Sequence, residues 1–199
     1  MKSIADAPEQ VTKTETEILL SFAKTALAQT QTGDLAEFGC YRGDTSLLLQ
    51  KLLQNSATRR LWLYDSFAGL PEKSPEDRSA AGDAFKQGEL NVTKREVIEK
   101  FKRHNLRLPI IKKAFFEDLQ PTDLPEKIAF AFLDGDLYAS IKISLKLTIP
   151  RLAENGIIIV HDYNNPELPG SAKAVDEFLS AHRNLKLEVR ETLAIIRQN

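Results

Sequence analysis

A chain of 199 residues suits one domain, 1–199, with a substantial core, so a single active site is expected rather than several modules. With 42% hydrophobic and 28% charged residues and a formal net charge of -1, its basic residues are matched by acidic ones and form no block, which excludes the profile of a nucleic-acid or anionic-membrane binder. No apolar run approaches the roughly 18 residues of a membrane span, and "MKSIADAPEQ" lacks the basic-then-apolar layout of a secretory signal, so a cytoplasmic protein is expected.

In chain order, the apolar residues of "TETEILLSFAKTALAQT" recur at helical spacing, and "TGD" stops that helix with a glycine. "DLAEFG" predicts a first strand and "DTSLLLQKLLQ" the next helix, capped by Asp44 or Thr45. "RRLWLYDSF" predicts a second strand, "REVIEKFKRHN" a helix, "LPIIKKAFF" a third strand and "KIAFAFLDGD" a fourth. "YASIKISLKLTIPRL" is helical, "NGIIIVHDY" a fifth strand, "SAKAVDEFLSAHR" a final long helix, and "LKLEVRETLAIIRQN" two strands about a tight turn. Such alternation predicts an α/β fold, a doubly wound, mostly parallel sheet with helices on both faces, closed by an antiparallel C-terminal edge hairpin. The polar segment 68–93, rich in Pro, Gly and Ser, reads as a lid or substrate loop, with a disordered insert as the alternative.

Ligands of open parallel sheets bind beyond the carboxyl ends of the strands, so the residues that follow each apolar run carry the chemistry. After the first strand, Gly39 and Gly43 permit a tight turn and a close approach to a ligand, and the next helix N-terminus offers free amides. Their G-x-x-x-G spacing is not a dinucleotide fingerprint. Glu37 is costly to bury without a partner, and the ammonium of an amino-acid moiety would suit it. Asp65, at the tip of the second strand, can accept hydrogen bonds from both hydroxyls of a ribose. After the third strand, Phe115 or Phe116 offers a stacking surface for adenine and Asp118 a partner for its amino group, or else aromatic core and a loop acid.

The fourth strand ends in Asp134 and Asp136, the fifth in His161 and Asp162. Neighbouring strands would set Asp134 beside Asp162, with His161 on the other side of its strand or joining them at its mouth. Hard oxygen donors with open positions suit Mg2+. Without a cation the carboxylates would repel one another and one would stay protonated. Cys40 has no second thiol for a disulfide or zinc site and reads as a buried small residue rather than a nucleophile.

In order, "GDLAEFGCYRGDTS", "YDSFAGLPE", "GELNVTKREV", "FLDGDLYAS", "VHDYNNP" and "AVDEF" resemble the macrocin-type O-methyltransferase family over about residues 33 to 180. These are S-adenosylmethionine- and Mg2+-dependent enzymes that methylate sugar hydroxyls on macrolide and aminocoumarin natural products. The resemblance implies a class I methyltransferase fold, the closing hairpin included. It implies that Glu37, Gly39, Tyr41 and Asp65 with Ser66 line the cofactor pocket, that Asp134 and Asp162 are metal ligands, and that Asp136 is the general base for the accepting hydroxyl. Where the family reads Asp-Asp-Tyr, this chain has His161, Asp162 and Tyr163. Imidazole ligates Mg2+ poorly, so His161 weakens the metal site, turns it toward Mn2+, acts as a second base or touches substrate. Family members generally carry a longer N-terminal portion that contributes to lid and subunit contacts, and the shorter start here leaves substrate identity and oligomeric state, a homo-oligomer among the expectations, outside what the resemblance implies.

Rival readings remain at this level. A DxD motif also carries the diphosphate of nucleotide sugars in glycosyltransferases, a catechol-like diol suits a Mg2+ site as well as a sugar does, and a non-catalytic nucleotide sensor would leave Asp136 without a task. No residue names the acceptor beyond a small-molecule hydroxyl.

Overall fold

The computed structural model describes residues 8–80, 82 and 84–199. The opening heptapeptide, on which the reading of the N-terminus partly rests, lies outside the described residues, as do Ala81 and Asp83 of the 68–93 segment. The elements follow in the expected order: α1 Lys13–Gln29, β1 Asp34–Phe38, α2 Asp44–Leu52, β2 Leu61–Asp65, α3 Lys94–Arg103, β3 Ile110–Lys113, β4 Ile128–Leu133, α4 Tyr138–Thr148, β5 Leu152–Val160, α5 Pro169–Ala181, β6 Leu185–Arg190 and β7 Leu193–Gln198. They build one seven-stranded sheet in the order β3-β2-β1-β4-β5-β7-β6, parallel except where β7 runs antiparallel to both neighbours.

Strand alternation divides the core into two layers. Phe130 and Phe132 of β4 and Ile157 and Ile159 of β5 meet Leu19 and Phe22 of α1, Leu49 of α2 and Phe101 of α3 on one face. Ala131, Leu133, Ile158 and Val160 meet Ile141 and Leu145 of α4 and Val175 and Phe178 of α5 on the other. All six β4 residues are buried, as a central strand covered on both faces requires. Thr12 and Glu15 close a capping box at the start of α1, and Thr93 and Glu96 do so for α3.

The cap of α2 differs from expectation. Gly43 is the N-cap, at φ 75, and makes no side-chain cap bond; Asp44 is the first helical residue and pairs instead with Lys100 of α3. Among the described residues no side chain caps the first turn of α2, an arrangement that leaves a helix N-terminus available to a ligand.

Segment 68–93 has its own anchor. Its Leu70 packs with Leu137 and Leu168, and Phe85 and Leu90 close over them. Asp77, 1% exposed, accepts from the Tyr138 amide at 2.7 Å through Oδ1 and from the Ser74 amide and hydroxyl at 2.9 and 2.7 Å through Oδ2. No side chain of its own N-cap Leu137 caps α4, so Asp77 supplies that cap from a remote segment. Asp77→Ala should cost about 2 kcal/mol of anchoring and expose Lys73, Arg78 and Lys86 to trypsin while the sheet stays protected. Unchanged cleavage kinetics would show that Asp77 does not pin this segment.

Among the described residues, no helix is long and apolar enough to cross a membrane.

Candidate active site

A cleft opens at the carboxyl ends of β1, β2 and β4, lined by Glu37, Gly39, Tyr41, Asp65 and Ser66 and by Asp134 and Asp136. The β1–α2 turn enters it through Gly39 at φ 86 and Gly43 at φ 75, with Tyr41 between them also left-handed at φ 42. Gly39 is required by contact as well as by conformation: a Cβ there would stand 1.9 Å from the Asp134 carbonyl oxygen. This close approach joins the turn after β1 to the loop after β4.

Asp65 organises that turn. Its Oδ2 accepts from the Cys40 and Tyr41 amides, both at 3.0 Å, and its Oδ1 from the Phe67 amide at 2.8 Å. A carboxylate has about four acceptor positions, so these bonds leave roughly one for a ligand rather than the two that a pair of ribose hydroxyls would take. Ser66, next in the chain, donates to the Gly69 carbonyl at 2.8 Å and accepts from the Ala68 amide at 3.1 Å, which shapes the following turn. Glu37 is 1% exposed and accepts from the Ser46 hydroxyl of α2. Burial pushes its carboxyl well above the usual range, Ser46 opposing and the charges of Asp134 and Asp65 adding to the rise. Burial likewise pushes the Cys40 thiol up, and Asp65 and Glu37 reinforce it, which disfavours the thiolate that a nucleophile needs.

Strands β4 and β5 pair in register at Leu133 and Val160, which sets the two following loops side by side. Asp134, His161 and Asp162 offer donor atoms that all lie within 4.8 Å of one another. Nδ1 of His161 stands 2.9 Å from Asp134 Oδ1 and 3.1 Å from Asp162 Oδ2, while Asn165 holds Asp162 Oδ1 at 2.8 Å. Asp136 and Asp162 have left-handed backbones, φ 58 and φ 59, a conformation that aspartate tolerates better than most residues. Burial opposes charge on His161, but the hydrogen-bonded Asp134, with Asp162 and Glu15, outweighs it and raises the imidazole well above its ordinary range. Burial together with Asp134 and Asp162 pushes Asp136 well up, against the pull of His161.

A sequence model of the macrocin O-methyltransferase (TylF) family matches residues 10–193. The chain belongs to the macrocin O-methyltransferase family. It is 32% identical over 147 residues to the 8-demethyl-8-(2,3-dimethoxy-alpha-L-rhamnosyl)-tetracenomycin-C 4'-O-methyltransferase of Streptomyces olivaceus, covering 70% of this chain and 56% of that one. It is 31% identical over 155 residues to the demethyldecarbamoylnovobiocin O-methyltransferase of Streptomyces niveus, covering 73% and 58%. The chain thus spans less than two thirds of the length of these curated relatives. Among solved structures, the O-methyltransferase NovP matches with a TM-score of 0.79 at 26% identity, over 92% of this chain and 78% of that one. The calicheamicin methyltransferase CalS11 matches with a TM-score of 0.75 at 23% identity, over 94% and 80%, a likeness of fold.

One residue stands apart from its sequence reading. Asp118 is exposed in the short helical turn Phe116–Asp118 and does not line the cleft; its neighbour Glu117 does, with Phe115 and Phe116. Phe116 also packs edge-on against Phe38 at 5.4 Å, so it serves the core and the cleft wall together. Gly135 is required by packing within the protein, since a Cβ there would meet the Ser140 Cβ at 2.9 Å and the Phe116 ring at 3.0 Å.

Glu15 is the site neighbour that the linear reading did not find. It is 3% exposed, and its Oε2 stands 3.9 Å from His161 Nε2. Its only mark in the sequence is the Thr12-x-x-Glu15 spacing of a capping box, which announces a helix start and says nothing of where that start will pack.

Proposed function

We propose that the protein is an S-adenosylmethionine-dependent O-methyltransferase acting on a hydroxyl of a small molecule, a sugar or glycosylated natural product, with a divalent cation at Asp134, His161 and Asp162. The observation that carries this reading is the convergence of those three donor groups, with Asp134 and Asp136 on the wall of the same cleft as the Asp65-braced turn. Two carboxylates and one imidazole fit a divalent cation, and the imidazole turns the fit from Mg2+ toward Mn2+. Family membership favours methyl transfer over the glycosyltransferase reading of the DxD motif, and the relatives' printed names, a rhamnosyl-tetracenomycin and a novobiocin precursor methyltransferase, favour a sugar-bearing acceptor.

In this reading Glu37 faces the ammonium of the cofactor's amino-acid part, which would draw the buried carboxyl toward its charged form. Asp65 takes one ribose hydroxyl at its remaining acceptor position, and Phe115 and Phe116 flank the adenine. The cation, when bound, supplies Lewis acidity to the accepting hydroxyl. Asp136 would take that hydroxyl's proton, and the cofactor, when bound, would supply its methyl group to the accepting oxygen and leave as S-adenosylhomocysteine. Asp134 and Asp136, on either side of Gly135 in the loop after β4, would set the accepting oxygen and its proton acceptor in one place, which is what in-line transfer requires of the protein. Segment 68–93, with Leu70, Pro71 and Leu90 on the cleft wall, borders the acceptor as a lid.

Calorimetric titration of S-adenosylmethionine and of UDP-glucose, each with and without Mg2+ or Mn2+, tests the reading. Binding of the sulfonium cofactor is expected, and binding of the UDP-sugar alone would overturn it. Asp65→Ala should weaken cofactor binding about 10- to 100-fold, because a charged acceptor and the brace of two cleft amides go together. An unchanged dissociation constant would remove Asp65 from the cofactor site.

A further inference from the structure

His161 is the imidazole of the candidate metal cluster, and it is met from another element as well. The alternation that buries Ile157 and Ile159 against α1 carries His161 to the same face, where Glu15 of the first α1 turn meets it. Glu15 Oε2 accepts from the Thr12 amide at 2.9 Å and hydroxyl at 2.7 Å, and Oε1 accepts from the Thr192 hydroxyl between β6 and β7. Donors from two distant segments therefore clamp this carboxylate in place. Its counterpart in the second capping box, Glu96, makes the same local bonds on an exposed helix end. Capping alone does not call for a buried carboxylate beside an imidazole, which is expensive to desolvate.

We propose that Glu15 is a positioning residue for the metal site: clamped on the Nε2 side of His161, it holds the ring so that Nδ1, which stands against Asp134 and Asp162, is the nitrogen a cation would take in place of its proton. This rests on the metal-dependent reading above. The 3.9 Å separation lies within ion-pair range and beyond a direct hydrogen bond, so Glu15 acts through its field. The ring it acts on is already fixed at the backbone, since the His161 amide donates to Leu133 at 3.0 Å and its carbonyl accepts from the Ser171 hydroxyl at 2.8 Å. A carboxylate behind a metal-bound imidazole sets the tautomer and raises the basicity of the ligating nitrogen.

Mn2+ binding to the full chain, followed by electron paramagnetic resonance, tests this without recourse to turnover. Glu15→Gln should lower Mn2+ affinity about 10- to 100-fold. In a His161→Asp background the same change should leave Mn2+ affinity within about threefold, because the imidazole through which Glu15 acts is gone. Should Glu15→Gln fail to fold, long-range proton–nitrogen spectra of the wild-type chain loaded with Zn2+ decide, with only three histidines to assign. They should show the proton on Nε2 and the metal on Nδ1 of His161. Equal Mn2+ affinity in wild type and Glu15→Gln, or a proton on Nδ1, overturns the role of Glu15 alone. A wild-type chain that takes up neither Mn2+ nor Mg2+ overturns the metal-dependent reading and this proposal together.

Discussion

Asp136→Asn should reduce turnover by about 10²- to 10⁴-fold, the usual contribution of one general base, while S-adenosylmethionine still binds as in the wild type. Asparagine keeps the shape of the side chain and tolerates the left-handed backbone at φ 58, so the loop after β4 should hold its course. What it removes is the basic oxygen. Burial and the negative charges of Asp134 and Asp162 hold Asp136 well above the ordinary carboxylate range. Positive charge added between those two aspartates acts in the opposite sense and brings Asp136 down toward the range where it can serve as a base. Single-turnover methyl transfer, measured beside calorimetric cofactor affinity, separates the two effects. Near-normal turnover in Asp136→Asn would assign the base elsewhere, with His161 the next group to test.

Gly39→Ala should be the most disruptive single-methyl change in the cleft, costing about 3 kcal/mol or more of stability. The new Cβ would lie 1.9 Å from the Asp134 carbonyl oxygen and 2.8 Å from its carbonyl carbon, both backbone atoms. Relief requires the tips of β1 and β4 to part, yet the Asp134 amide is bonded to the Phe38 carbonyl at 2.8 Å and the Gly39 amide to the Tyr64 carbonyl at 2.8 Å. Parting them would spoil the cofactor turn and the Asp134 loop together, so cofactor binding should fall with stability. Gly88→Ala is the control, since Gly88 shares nearly the same backbone, φ 85 against 86, but a Cβ there meets nothing within 4 Å. Its loss should be only the conformational cost, about 1 kcal/mol. Urea midpoints of the two variants compare them directly, and equal losses would mean that the contact with Asp134 is harmless.

Hydrophobic periodicity, turn residues and the order of acids after strands were enough to determine the α/β class, the seven strands, the closing hairpin and the placing of Asp65, Asp134 and Asp162 at strand tips. The reason is that each of these depends on neighbours within a few residues: a period of two or 3.6, a glycine at a positive φ, a carboxylate one step beyond an apolar run. The signal was weaker where a side chain's partner comes from far along the chain. Asp44 looks like a cap in "GDTS" and is instead the partner of Lys100, and Asp77 looks like one more loop acid and instead caps α4 from 61 residues away. Segment 68–93 looks too polar for core, yet its few apolar residues close on Leu137 and Leu168.

His161 marks the boundary most clearly. The residue sequence places an imidazole beside Asp162 and leaves open whether it turns toward the aspartates or away from them. Only the packing of α1 across β5, which brings Glu15 to one ring nitrogen while the pairing of β4 with β5 brings Asp134 to the other, decides that it does both. Helix and strand formation are local and legible residue by residue. The environment of a buried charge is made by elements that meet only when the sheet assembles.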